Sequence, residues 1–187
     1  MTPTVDLVLL IAAHNEEAAL PVLHPRLLAV AEAHGPGARI VYVDDGSRDG
    51  TWTLLSGFAE AQPARVGAIR LSRNFGKELA LTAGLDHVPP GAAVVVLDAD
   101  GQDPPELIPA LVARWRAGAE VVFGRRTERH GEPLLKRATA AAFYRVINAL
   151  SDTPIPRDTG DFRLIGPRAV EALRGLRERQ RFMKGLF

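Results

Sequence analysis

Two carboxylates one residue apart, Asp98 and Asp100, are followed by the carboxamide of Gln102, and the run Asp98-Ala99-Asp100-Gly101-Gln102-Asp103-Pro104-Pro105 comes directly after Val94-Val95-Val96-Leu97. Acids at i and i+2 with an amide at i+4 offer hard oxygen ligands to Mg2+ or Mn2+, which keep waters and take further ligands from substrate phosphates. The same stretch also reads as a strand end with solvated acids, ahead of a helix starting at Pro104-Pro105. Two more acidic clusters stand at comparable places. His14-Asn15-Glu16-Glu17 follows the apolar run Val5 to Ala12, and Asp44-Asp45-Gly46-Ser47 follows Ile40 to Val43.

The apolar runs are the elements that must position these groups. Four β-branched or aliphatic residues in succession suit a strand buried on both faces, and such strands belong to parallel sheets covered by helices. Strands are expected at Val5 to Ala12, Ile40 to Val43, Val66 to Leu71, Val94 to Leu97 and Glu120 to Phe123. Helices are expected from the Asn15 region to about His34, from Thr51 to about Ala61, up to about Gly84, and from Pro105 to Ala117. Asn15 would cap the first of them, with two acids in its opening turn; Pro21 and Pro25 limit its regularity, and Gly35-Pro36-Gly37 ends it. Strands alternating with helices, each strand emptying into a polar loop, predict an α/β fold: a doubly wound, Rossmann-like, mainly parallel sheet with helices on both faces. Ligands of such sheets bind beyond the carboxyl ends of the strands, which is where the acids lie. Further on, Leu134 to Leu150 reads as helical, Arg157 to Ile165 as a mixed polar and apolar segment, and Pro167 to Arg177 as an amphipathic helix.

At 187 residues, 47% hydrophobic and 24% charged, the chain is sized for a single globular domain, residues 1 to 187. It has no cysteine, which excludes disulfides and thiolate metal sites. No run approaches 18 uncharged apolar residues, and Asp6 interrupts the first apolar stretch with no Lys or Arg before it, so neither a membrane span nor a secretory signal is predicted. The net charge of +1 hides a division: residues 1 to 124 hold 9 Lys+Arg against 15 Asp+Glu, and residues 125 to 187 hold 14 against 7. A basic segment beside an acidic, metal-ready site suits an anionic ligand or anionic lipid better than nucleic acid. An Arg-rich solvated surface would give the same count. P-loop, dinucleotide-binding and serine-nucleophile signatures are all absent.

Five motifs occur in a telling order: Ile11-Ala12-Ala13-His14-Asn15-Glu16-Glu17, Val43-Asp44-Asp45-Gly46-Ser47, Arg73-Asn74-Phe75-Gly76-Lys77, Asp98 through Pro105, and Gly160-Asp161-Phe162-Arg163-Leu164. In that order they resemble family 2 glycosyltransferases of GT-A fold, and most of all the polyprenyl-phosphate group, the bactoprenol glucosyltransferases and dolichol-phosphate mannose synthases. The resemblance implies a metal-dependent hexosyltransferase using Mg2+ or Mn2+. It would move a hexose from a nucleotide diphosphate sugar to polyprenyl phosphate at the cytoplasmic face of the membrane, with inversion. UDP-glucose is the first expected donor and GDP-mannose the second; a non-catalytic nucleotide-sugar-binding module is the rival from another class.

By the same resemblance, Ala12, His14, Glu16, Asp44, Asp45, Gly76, Lys77 and Asp98 would bind the nucleotide sugar. Asp100 and Gln102 would ligate the metal, with Asp98 beside them. Arg126, Arg129, Lys136, Arg137 and Arg163 would hold donor or acceptor phosphate, where the planar guanidinium fits phosphate oxygens bidentately. Asp98, Asp100 and Asp161 would be the catalytic acids. Asp161 stands where the wider family places a base, but a lipid monophosphate, with a second pKa near about 6, is already mostly dianionic at neutral pH and needs none. Two departures mark this chain. Ala12 and His14 replace the usual proline and tyrosine, and Gly101 replaces a frequent leucine, freeing the metal loop in φ and ψ. Family members usually continue into an amphipathic helix and membrane spans, so the resemblance implies the catalytic domain of a longer membrane protein, with its basic third facing an anionic surface and any homo-oligomer forming in the full-length protein.

Overall fold

The computed structural model describes residues 4–125 and 159–176. Its strands are β1 (Leu7–Ala13), β2 (Ala38–Asp44), β3 (Val66–Arg70), β4 (Ala93–Asp98), β5 (Val121–Arg125) and β6 (Thr159–Ile165). Between them lie α1 (Leu20–His34), α2 (Thr51–Ala61), α3 (Lys77–Asp86), a 3-10 turn at Pro105–Leu107 running into α4 (Ile108–Arg116), and after β6 comes α5 (Pro167–Gly175). The sheet order is β3-β2-β1-β4-β6-β5.

The apolar runs form the strands because both faces of the sheet are covered. Along β1, Leu7, Leu9 and Ile11 pack with α1, α2 and α4, while Val8 and Leu10 pack with α3 and α5, and all five are fully buried. Burying side chains of this size stabilises the fold by about 1.5–3 kcal/mol each. β1 pairs in parallel with both β2 and β4, and the registers Ala13↔Asp44 and Ala12↔Asp98 bring the acidic strand ends side by side.

The sheet departs from simple winding at β6. The mixed segment expected over Arg157 to Ile165 is a full strand, inserted antiparallel between β4 and β5, so the fifth strand pairs with β6 rather than with β4. Its residues alternate: Phe162 and Leu164 join the core under α1 and α4, while Ile165 joins the core under α3 and α5. The first helix also differs from expectation. It begins at Leu20, not at Asn15, and carries no acid in its first turn, while Pro21 at its start and Pro25 inside it are both accommodated. Asn15 adopts a left-handed backbone with φ 57° and ties two loops together instead of capping. The helix expected over Leu134 to Leu150 lies outside the described residues.

Candidate active site

The site is assembled from loops that lock one another. Asp45, nearly fully buried, accepts the Phe75 N–H at 2.8 Å on one carboxylate oxygen and the Gly76 N–H at 2.9 Å on the other. Gly46 continues the clamp: with φ 66°, a Cβ placed on it would lie 2.3 Å from the Arg73 carbonyl carbon, so only glycine lets the two backbones approach. On the opposite side, the Asn15 N–H donates to Ser47 Oγ at 3.0 Å, the Arg48 N–H donates to Asn15 Oδ1 at 2.9 Å, and the Glu16 N–H donates to Thr51 Oγ1 at 2.8 Å. His14 Nδ1 lies 2.8 Å from the Asp45 carbonyl oxygen, which can only accept. Nδ1 therefore carries the hydrogen, and Nε2 accepts from the Asn15 amide at 3.1 Å.

These loops enclose a cavity of about 260 Å3 at the carboxyl edge of β1, β2 and β4. Ala12, His14, Glu16, Asp45, Gly76, Lys77, Asp98 and Asp100 all line it, together with Asn74. Asp161 reaches the same place from β6. The antiparallel register pairs Val96 with Arg163, and carried two residues further it sets Asp161 beside Asp98. Lys77 joins the two: its Nζ sits 2.5 Å from Asp161 Oδ2 and is also paired with Asp98 Oδ1. Burial works to lower the Lys77 pKa, but the hydrogen bonds to Asp161 and Asp98 and the charges of those two carboxylates together outweigh it, and the pKa is raised.

Two of the expected residues take other places. Asp44 is fully buried and does not line the cavity; its Oδ1 accepts the Ser47 N–H at 3.0 Å, and its Oδ2 faces Arg70 Nε at 3.4 Å, an ionic contact without hydrogen-bond geometry. Arg163, 4% exposed, lies behind Asp161, with Nε 3.4 Å from the Asp161 carbonyl oxygen and Nη2 3.9 Å from Oδ1. From there it meets Asp161 rather than a phosphate in the open cavity. Burial lowers its pKa while the charges of Asp161 and Glu78 act against that shift. Gln102 is exposed, and its backbone N–H donates to Asp100 Oδ1 at 2.9 Å. Arg126, Arg129, Lys136 and Arg137 lie outside the described residues.

Two contributors went unassigned in the sequence. Buried Asp103 braces the strand end, its Oδ2 3.4 Å from the Asp98 N–H, and Asn74 lines the cavity. Both stand inside quoted motifs, so their positions were visible although their tasks were not.

The donor set suits a divalent cation. Burial, and then the charges of Asp100, Asp49 and Asp98, push the Glu16 pKa up, with His14 acting the other way, so the cavity concentrates negative charge that a cation would relieve. Among the described residues no group of three or more His, Asp or Glu side chains could enclose a metal. An ion held by Asp98 and Asp100 would complete its coordination with Gln102, water or substrate oxygens.

The family follows from comparison with known proteins. Residues 8–174 match Glycosyl transferase family 2. The chain belongs to that family. It is 45% identical over 184 residues to an uncharacterized glycosyltransferase of Synechocystis sp., covering 98% of this chain and 57% of that protein. It is 41% identical over 178 residues to the bactoprenol glucosyl transferase of Shigella phage SfX, covering 95% and 58%. Among solved structures, a mannosyltransferase from Pyrobaculum calidifontis, in complex with GDP-Man and Mn2+, superposes with a TM-score of 0.62 at 22% identity, covering 92% of this chain and 47% of that one. The fold is that of the GT-A glycosyltransferases, as the five motifs implied. The chain spans little more than half the length of the curated relatives it matches.

Proposed function

We propose that this chain is the catalytic unit of an enzyme that transfers a hexose, with inversion, from a nucleotide diphosphate sugar to polyprenyl phosphate at the cytoplasmic face of a membrane. UDP-glucose is the donor we favour, because relatives about 40% identical are named bactoprenol glucosyl transferases. GDP-mannose is second, on the more distant likeness to a GDP-Man-bound mannosyltransferase. The observation that carries the reading is the convergence of Asp98, Asp100, Lys77 and Asp161 on one cavity edge.

In this reading His14, Glu16, Asp45 and Asn74 line the place for the nucleoside and Lys77 faces the phosphates. Asp98 and Asp100, with Gln102, would hold Mg2+ or Mn2+, which when bound would neutralise the charge of the leaving diphosphate. An acceptor phosphate oxygen attacks the anomeric carbon as the bond from that carbon to the diphosphate oxygen breaks, and the diphosphate keeps the electron pair. No proton moves, because the acceptor arrives as a dianion. Asp161, fixed between Lys77 and Arg163, is a positioning residue for the ammonium and the sugar rather than a base. Arg126, Arg129, Lys136 and Arg137 would meet the acceptor phosphate and an anionic lipid surface.

The test is transfer of radiolabelled sugar into butanol-extractable lipid, using the full-length protein in membranes supplied with polyprenyl phosphate. Label from UDP-glucose is expected. Label from GDP-mannose alone would move the reading to the second donor, and no lipid label from any nucleotide sugar would overturn it.

A further inference from the structure

We infer that Lys77 is a built-in counter-cation, holding Asp98 and Asp161 together and competing with the divalent metal for Asp98, so that metal enters well only alongside an anionic diphosphate. The inference rests on Asp98 and Asp100 as metal ligands, the reading given above.

The geometry is specific. Lys77 opens α3 directly after Gly76, whose N–H is held by Asp45, so its backbone is fixed while its four-carbon side chain crosses the cavity wall. Its ammonium contacts a carboxylate on each of two neighbouring strands, Asp98 at the end of β4 and Asp161 near the start of β6. The lysine and both acids are only partly buried, with side chains 34%, 34% and 25% exposed, so the ion pairs can exchange partners with something entering the cavity.

Charge decides the competition. A divalent ion arriving at Asp98 meets an ammonium already in contact with that carboxylate, and like charges at this range oppose each other. The ammonium must leave Asp98 as the metal binds. A compact ammonium has three rotatable donors and no acceptor, so its best new partners are phosphate oxygens. A diphosphate supplies them and also brings oxygen ligands for the metal. Lys77 thereby couples metal entry to donor entry: each makes room for the other, as reciprocal linkage requires.

The coupling is read without turnover, by titrating the folded chain with Mn2+ and following free ion by electron paramagnetic resonance, with and without UDP. Lys77→Gln should bind Mn2+ about tenfold or more tightly than the unsubstituted chain when UDP is absent, because a repelling charge beside Asp98 is gone. UDP should then strengthen Mn2+ binding less in Lys77→Gln than in the unsubstituted chain. Lys77→Arg, which keeps the charge, should retain the weak metal binding. Lys77→Met gives the same reading if Lys77→Gln does not fold by circular dichroism. Unchanged or weaker Mn2+ affinity in a folded, neutral variant overturns the inference alone, provided Asp100→Asn still abolishes binding. Mn2+ binding that is indifferent to Asp100→Asn, or absent throughout, overturns the metal site and the inference with it.

Discussion

Asp45→Asn separates a residue that contacts the donor from one that builds the place for it. Both Asp45 oxygens are occupied by the Phe75 and Gly76 N–H groups at 2.8 and 2.9 Å, and the residue is 3% exposed. The asparagine keeps one acceptor and turns an N–H2 toward the other backbone N–H, so one charge-assisted bond is lost outright and the second is weakened. Hydrogen bonds to charged groups contribute about 1.5–3 kcal/mol each, and an unsatisfied buried donor costs about 1–3 kcal/mol, so a loss of about 2–4 kcal/mol is expected. For a chain of this size each kcal/mol moves the melting temperature by about 2–4 °C, which gives a fall of roughly 5–15 °C. Scanning calorimetry measures it, and a urea midpoint that falls with an unchanged slope shows that stability and not compactness has changed. UDP affinity should weaken in parallel, because the turn carrying Lys77 loosens. A melting temperature within about 2 °C of the unsubstituted chain, with UDP binding lost, would refute the clamp and make Asp45 a direct ligand contact.

Three further outcomes are expected. Gly46→Ala forces a Cβ to 2.3 Å from the Arg73 backbone at φ 66° and should destabilise by at least about 1–2 kcal/mol with loss of UDP affinity, measured by urea unfolding and calorimetry. His24 stacks on Phe58 at 3.8 Å and lies 2.9 Å from the Tyr42 hydroxyl; burial lowers its pKa, so the unfolded chain binds the proton more readily. Stability should therefore fall as pH drops below the unfolded histidine pKa of about 6.5, and His24→Phe should flatten that fall in urea unfolding between pH 7 and 5. Asp161→Asn should lower activity without rescue at high pH if the acceptor is the proposed phosphate dianion, which needs no base; a steep loss restored by raising pH in the lipid-transfer assay would make Asp161 a general base.

The sheet was legible where burial leaves an unbroken apolar run, as at Leu7–Ala13 and Ala93–Asp98, and the acidic ends of those strands marked the cavity. The insertion of β6 was not legible, because its pairing depends on contacts with β4 that no local pattern encodes. Its alternation was nevertheless present in Asp161, Phe162, Arg163, Leu164 and Ile165, a period of two masked by two charges on one face. Asp44 and Asp45 are adjacent and chemically identical, yet one faces Arg70 beneath the edge and the other holds the Phe75–Gly76 turn. Only the pleat tells them apart. Arg163 carried the same ambiguity, since a buried guanidinium braced by an acid reads in sequence like an exposed one awaiting phosphate. Asn15 looked like a cap because caps and left-handed turns favour the same residue for the same reason, a short side chain that bonds nearby backbone.

The direction of β6 is what places a third acid at this edge. Asp161 is the third residue of Thr159–Ile165, and at roughly 3.3 Å per residue it lies about 13 Å from the strand's far end. A parallel strand would bring its far end, not Asp161, to the edge where β1, β2 and β4 deliver their acids. Running antiparallel, β6 presents its start there, beside Asp98, with Arg163 two residues deeper on the same face to brace the carboxylate from below. α3 packs over that face and begins at this edge, so its first residue, Lys77, comes within reach of both acids. The cavity's cation and two of its anions thus come from three stretches that are distant in sequence and meet only when β6 pairs with β4. Loosening that pairing in the core, at Leu164 or Ile165, would disperse the charges before the cavity-lining loops of β1 and β2 were disturbed.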